Sequence, residues 1–94
     1  MSAINLIAQI PAREDTAAEV KRLLDAYAVH VLSMDGAERF EVYMDRDEPT
    51  RIVVLERYRD QAAFDEHIAD PDNAVLNDRL ALLTDGGSAL QFLA

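Results

Sequence analysis

The chain has 94 residues, half of them apolar, no cysteine and a formal charge of −9. One small domain covering residues 1–94 with a packed core is expected, and the missing thiols exclude disulfides, thiolate metal sites and cysteine nucleophiles. The acidity opposes phosphate backbones, which argues against nucleic-acid binding, and no run of about 18 apolar residues is available to span a membrane.

A reducing cytoplasm is the expectation from a chain without cysteine, and the start, Met1-Ser2-Ala3-Ile4-Asn5-Leu6, lacks the basic stretch and long apolar run of a signal peptide. Residues 3–10 then alternate, with Ile4, Leu6, Ala8 and Ile10 opposing Asn5, Ile7 and Gln9, which predicts a strand stopped by Pro11. Thr16 and Glu19 have the spacing of a capping box. Ala17, Val20, Leu23, Leu24, Tyr27, Ala28 and Val31 recur every three or four residues, predicting a long amphipathic helix that ends near Met34. His30 falls at the edge of that stripe and is expected at the surface or partly packed.

From Ala37 to Asp45 the period returns to two, and Phe40, Val42 and Met44 oppose Arg39, Glu41 and Tyr43 in a second strand. Asp45-Arg46-Asp47-Glu48-Pro49 is a hairpin connection to a third strand at about Thr50–Tyr58. Asp60 stands where an N-cap belongs, and Phe64, His67 and Ile68 follow on one helical face that runs to about Ala69. Asp70 caps a further helix with Pro71 in its first turn, whose apolar stripe is Val75, Leu76, Leu80 and Leu83. Gly86-Gly87 stop it, and Ala89–Leu93 forms a last strand.

The order β-α-β-β-α-(α)-β predicts an α+β, ferredoxin-like fold: a four-stranded antiparallel sheet with helices on one face. Ile4, Leu6, Phe40, Val42, Met44, Ile52, Val54, Leu90 and Phe92 form the richer face, expected beneath the helices. The opposite face mixes Ile7, Tyr43, Val53, Leu55 and Leu93 with polar residues, and no chain is left to cover it. Such a patch marks an interface, so a homodimer packed sheet to sheet is expected.

Chemistry is expected where the third strand meets its helix. Glu56 and Tyr58 share the helix-facing side, and a buried carboxylate needs a partner or neutralisation. His67 is the obvious partner, and a desolvated acid–imidazole pair can move protons in a small pocket or simply tie helix to strand. Tyr27, Phe64 and Asn77 are the candidates to line that pocket. No metal site is expected: Asp65, Glu66 and His67 diverge around the helix, and His67 with Asp70 makes only two ligands.

Several segments together resemble the antibiotic biosynthesis monooxygenase family of the dimeric α+β barrel superfamily. They are Arg39-Phe40-Glu41-Val42-Tyr43, Asp47-Glu48-Pro49, Glu56-Arg57-Tyr58-Arg59-Asp60, Ala62-Ala63-Phe64 and His67. The resemblance implies a ferredoxin-like homodimer with a pocket in each subunit between sheet and helices. It also implies oxygenation of quinols or polycyclic phenols with no cofactor, the deprotonated substrate supplying the electrons. On that mapping His67 is the proton acceptor, Tyr58 takes the place usually held by tryptophan and orients the substrate oxygen, and Glu56 holds the imidazole's tautomer. The chain departs from the family pattern at Pro71-Asp72-Asn73, where Pro-His-Phe is usual, and at Met34-Asp35-Gly36-Ala37, where Glu-Pro-Gly-Cys is usual. Haem-degrading relatives carry a first-strand asparagine where this chain has Ala8, so that activity is not expected. Two alternatives remain: a non-catalytic dimeric module that binds a small aromatic, and an isomerase of a phosphorylated autoinducer sugar. The latter branch shares Arg39-Phe40, Pro49-Thr50-Arg51, Glu56, Tyr58 and His67.

Overall fold

A computed structural model describes residues 2–94. In chain order the elements are β1 (Ile4–Pro11), α1 (Ala17–Leu32), β2 (Ala37–Met44), β3 (Arg51–Tyr58), α2 (Gln61–Ala69), α3 (Pro71–Leu83) and β4 (Ala89–Leu93). The strands pair antiparallel in the order β2-β3-β1-β4, the ferredoxin-like arrangement expected from the sequence. Register places Glu56 opposite Leu6 of β1 on one side and Phe40 of β2 on the other, so its carboxyl rises from the middle of the sheet.

Period-two patterning sorts the strands as expected near the centre. Leu6, Ala8, Ile10, Phe40, Ile52 and Val54 are buried against Val20, Leu24 and Val31 of α1 and Leu80 of α3. Cover thins at the margins. Met44, Leu90 and Phe92 share the helix-facing side with Ile52, Ala8 and Leu6 as the alternation predicts, yet Met44 is partly open at the end of β2 and Phe92 is 57% exposed. β4 receives little helix cover, and the Phe64 ring of α2 reaches across to Phe92 at 5.6 Å between centroids. On the far face Tyr43 and Leu93 are exposed, and Ile7, Val53 and Leu55 are partly so.

Asp60 and Asp70 cap as the sequence predicts. Asp60 accepts from the Ala63 amide at 2.9 Å and Asp70 from the Asp72 amide at 3.1 Å, which satisfies amides that lack intrahelical partners. The expected Thr16–Glu19 capping box does not form. The Thr16 hydroxyl accepts from the Arg13 amide at 3.0 Å and donates 2.6 Å to the Leu83 carbonyl, joining the start of α1 to the end of α3, while Glu19 pairs with Arg22. α1 runs to Leu32, with turn bonds from the Ser33 and Met34 amides carrying it to the expected end near Met34, while Val75 points outward from α3 instead of joining its apolar stripe.

Gly36 ends the α1–β2 turn with φ +89°, a conformation that side chains disfavour. A Cβ there would lie 2.6 Å from the Ala63 Cβ, and the Gly36 carbonyl accepts from the Arg59 amide at 2.8 Å. This close approach seats the start of α2 against the entry to β2. No helix among the described residues is long and apolar enough to cross a membrane.

Candidate functional site

β3 carries Glu56 and Tyr58 on one face because they are two residues apart, and α2 lays His67 over them. All three are almost fully enclosed, with His67 5% exposed. The Tyr58 hydroxyl donates to Glu56 Oε1 at 2.6 Å. The His67 ring stacks on Tyr58 at 4.9 Å and is ringed further out by Tyr27, Phe40 and Phe64 at 6.1, 6.4 and 6.2 Å. His67 Nε2 lies 3.8 Å from Glu56 Oε1, near enough for charge coupling but too far for a hydrogen bond. His67 Nδ1 is buried and has no hydrogen-bond partner, a rare state that leaves its bonding capacity free.

Burial dominates the electrostatics. It pushes the Glu56 carboxyl up to about 7, against the opposing pull of the Tyr58 hydrogen bond. Burial also pulls the His67 imidazole below its ordinary value, partly countered by Asp70 and reinforced by His30. The phenols of Tyr58 and Tyr27 are raised for the same reason, with Glu56 adding to both. At neutral pH the site therefore holds a neutral imidazole beside a carboxyl that is close to half ionised.

Glu56 and His67 face a cavity of about 70 Å³ between sheet and helices. Its walls are mainly apolar, including Leu6, Leu24, Val54, Leu76 and Leu80, with Asn73, Asn77 and Ser88 as further polar groups. Of the residues singled out in the sequence, Glu56, Phe64, His67 and Asn77 line it together. Tyr58 lies behind Glu56 and does not reach the lining. Tyr27 also stands outside, donating to Asn73 Oδ1 at 3.2 Å. Asn73 was missed, although it precedes Asn77 by one helical turn and so shares its face.

The sequence reading also missed the corner beside the cavity. His30 Nε2 lies 2.5 Å from Asp70 Oδ2 and 3.2 Å from Asp72 Oδ2. These are the ligand-type atoms that come within 4.8 Å of one another among the described residues. A protonated imidazole between two carboxylates accounts for that geometry as an ion-paired junction.

The family model described as antibiotic biosynthesis monooxygenase matches residues 3–73. A Mycobacterium tuberculosis protein named "Putative monooxygenase Rv0793" is 33% identical over 70 residues, which are 74% of this chain and 68% of that protein. The solved structure of Rv0793 superposes with a TM-score of 0.90 at 29% identity, covering 99% of this chain and 94% of the other. Protein SO0527 from Shewanella oneidensis follows at TM-score 0.83 and 25% identity, over 98% and 93%. A conserved protein from Methanosarcina mazei shares the fold at TM-score 0.91 and 20% identity, over 99% and 92%.

Proposed function

Since the chain belongs to the antibiotic biosynthesis monooxygenase family, we propose that it is a cofactor-independent monooxygenase of quinol-like or polycyclic phenolic molecules, acting as a homodimer. The observation that carries this reading is a buried His67 whose Nδ1 is unpartnered and whose Nε2 lies near the raised carboxyl of Glu56, the two residues lining one apolar cavity. A phenolic hydroxyl entering the cavity meets a neutral imidazole that can take its proton. The resulting phenolate is electron-rich enough to reduce oxygen. One oxygen atom joins the ring and the other leaves as water, with the substrate supplying the electrons. Glu56 offsets the imidazolium charge through space, and the apolar walls keep water from the reactive intermediate.

The test is single-turnover oxygen uptake with a panel of hydroquinones. Wild type should consume oxygen, and His67→Ala should lose about 100-fold or more, the usual contribution of a positioned base. Equal uptake by the two proteins would remove His67 from the mechanism.

The stacking of His67 on Tyr58, with further aromatic rings around it, favours one rival in which the histidine is a packing residue: a dimeric module that binds a small aromatic without turning it over. Binding of 1-naphthol with no oxygen uptake on any hydroquinone would select that reading. The lining contains no lysine or arginine for a phosphate, so the sugar-phosphate isomerase gains no support.

A further inference from the structure

The cavity in front of His67 measures about 70 Å³. That is less than half the roughly 150 Å³ that encloses one benzene ring. The cleft is partly open past the exposed Ile68 and Leu90, so an aromatic ring can reach its mouth but is taken in whole only when a wall moves. The walls from α2 and α3 meet at a single residue. α2 supplies Phe64, His67 and Ile68, α3 supplies Asn73, Asn77 and Leu80, and Asp70 alone separates the helices. The corner is lightly anchored by packing: α2 buries Ala63 and His67, and α3 buries Leu80.

α1 reaches this corner with two side chains on one face, three residues apart. His30 holds Asp70 and lies against Asp72, while the Tyr27 hydroxyl donates to Asn73 Oδ1 at 3.2 Å. Asp70 is well placed to transmit that hold. Its amide donates to the His67 carbonyl at 3.3 Å, closing α2, and its Oδ1 accepts from the Asp72 amide, opening α3. We propose that the His30–Asp70 and Tyr27–Asn73 contacts form a latch by which α1 keeps the α2–α3 corner shut, and that release of this latch admits ligand to the His67 cavity. The inference rests on the cavity being the ligand site.

The latch responds to pH. The hydrogen bond to Asp70 holds the His30 imidazole above its ordinary value, and the same contact holds the Asp70 carboxyl below its own. Asp72, Tyr27 and His67 are the other ionisable groups that face His30, and burial moves the Tyr27 phenol up and the His67 imidazole down, leaving both uncharged near neutrality. The pair is thus doubly charged from the lowered Asp70 value up to the raised His30 value. Above that point His30 loses its charge, the ion pair with the Asp70 carboxylate is reduced to a hydrogen bond from a neutral imidazole, and the corner opens more often.

Hydrogen–deuterium exchange over residues 61–77 at pH 6 and pH 8.5, corrected for the intrinsic pH effect, tests this on wild type, His30→Gln and Tyr27→Phe. The rate of 1-naphthol association is measured alongside, and exchange in β1 and β3 serves as the control for global unfolding. Wild-type protection at the corner should fall at least threefold at the higher pH, and His30→Gln should be low at both. Any pH effect from Glu56 persists in His30→Gln and is separated in that way. Tyr27→Phe keeps the ring, and its corner should exchange faster than wild type at pH 6. Association of 1-naphthol should quicken as protection falls. Equal corner protection in all three proteins overturns the latch, as does loosening matched by equal loosening of the sheet. Unchanged association despite a looser corner overturns its control of entry. A looser corner in a protein that binds no 1-naphthol supports the latch and rejects the aromatic pocket.

Discussion

The Tyr58 phenol holds the Glu56 carboxyl through a 2.6 Å hydrogen bond between residues two apart on one face of β3. Both residues are enclosed, Tyr58 completely so. Tyr58→Phe keeps the ring that stacks on His67 and removes the donor. Urea unfolding should show a loss of about 1–3 kcal/mol, the cost of leaving a buried acceptor unpaired. The loss should be greater at pH 8 than at pH 5, because a hydrogen bond to an ionised carboxylate is the stronger one.

Glu56 also makes stability depend on pH in a direction opposite to most carboxylates. Its folded value of about 7 lies above the ordinary 4.5, so between those values the folded chain holds a proton that the unfolded chain releases. Stability from this group is complete below about pH 4.5 and is lost as pH rises through 7, by about 3 kcal/mol in all. Glu56→Gln removes the titration, so its stability should stay flat across that interval where wild type declines. Denaturant midpoints at pH 4.5, 6 and 8 check this, and a parallel decline in the variant would rule Glu56 out as the source.

Gly36→Ala should destabilise the fold by about 2–4 kcal/mol, combining a backbone held at positive φ with a new methyl driven into Ala63. The clash lies between the β2 entry and the first turn of α2, so the disturbance should reach the His67 cavity. A thermal midpoint within a degree of wild type would show that the turn can relax without cost.

Thr16→Val removes the hydroxyl that joins α1 to the Leu83 carbonyl and should cost about 1–2 kcal/mol. Glu19→Ala should stay within about 0.5 kcal/mol, since Glu19 makes an exposed pair with Arg22 and no reciprocal cap. Chemical denaturation of the two variants side by side separates a tertiary role for Thr16 from a helix-start role, in which both would matter.

The contrast between Thr16 and Asp60 marks where sequence reading succeeds. Asp60 acts on an amide three residues away, and such local bonds follow from spacing alone. Thr16 has the same kind of local signal, but its hydroxyl is claimed by a carbonyl 67 residues distant. Alternation likewise put Glu56 and Tyr58 on one face and helical spacing turned His67 toward them. Neither periodicity carries the 3.8 Å that separates the carboxyl from the imidazole, because that distance depends on how closely α2 settles on the sheet. The Tyr27–Asn73 bond and the His30–Asp70 pair were hidden for the same reason, with partners 46 and 40 residues apart. Leu90 and Phe92 show another limit: alternation puts them on the helix side, as the register confirms, but how much cover a strand receives there depends on where the helices run.

Asp70 has consequences for how this chain can vary. One residue ends the first helix with its amide, caps the second with its side chain and answers a histidine from a third. Asparagine there would keep the cap and forfeit the charge, whereas glutamate would keep the charge and reach past the amide it must meet. Each single replacement thus repairs one contact at the expense of another. Drift at this corner is channelled instead to His30 and Asn73, each of which can change with a smaller set of dependants. Divergent versions of the chain should accordingly differ in what surrounds Asp70 long before they differ at Asp70 itself.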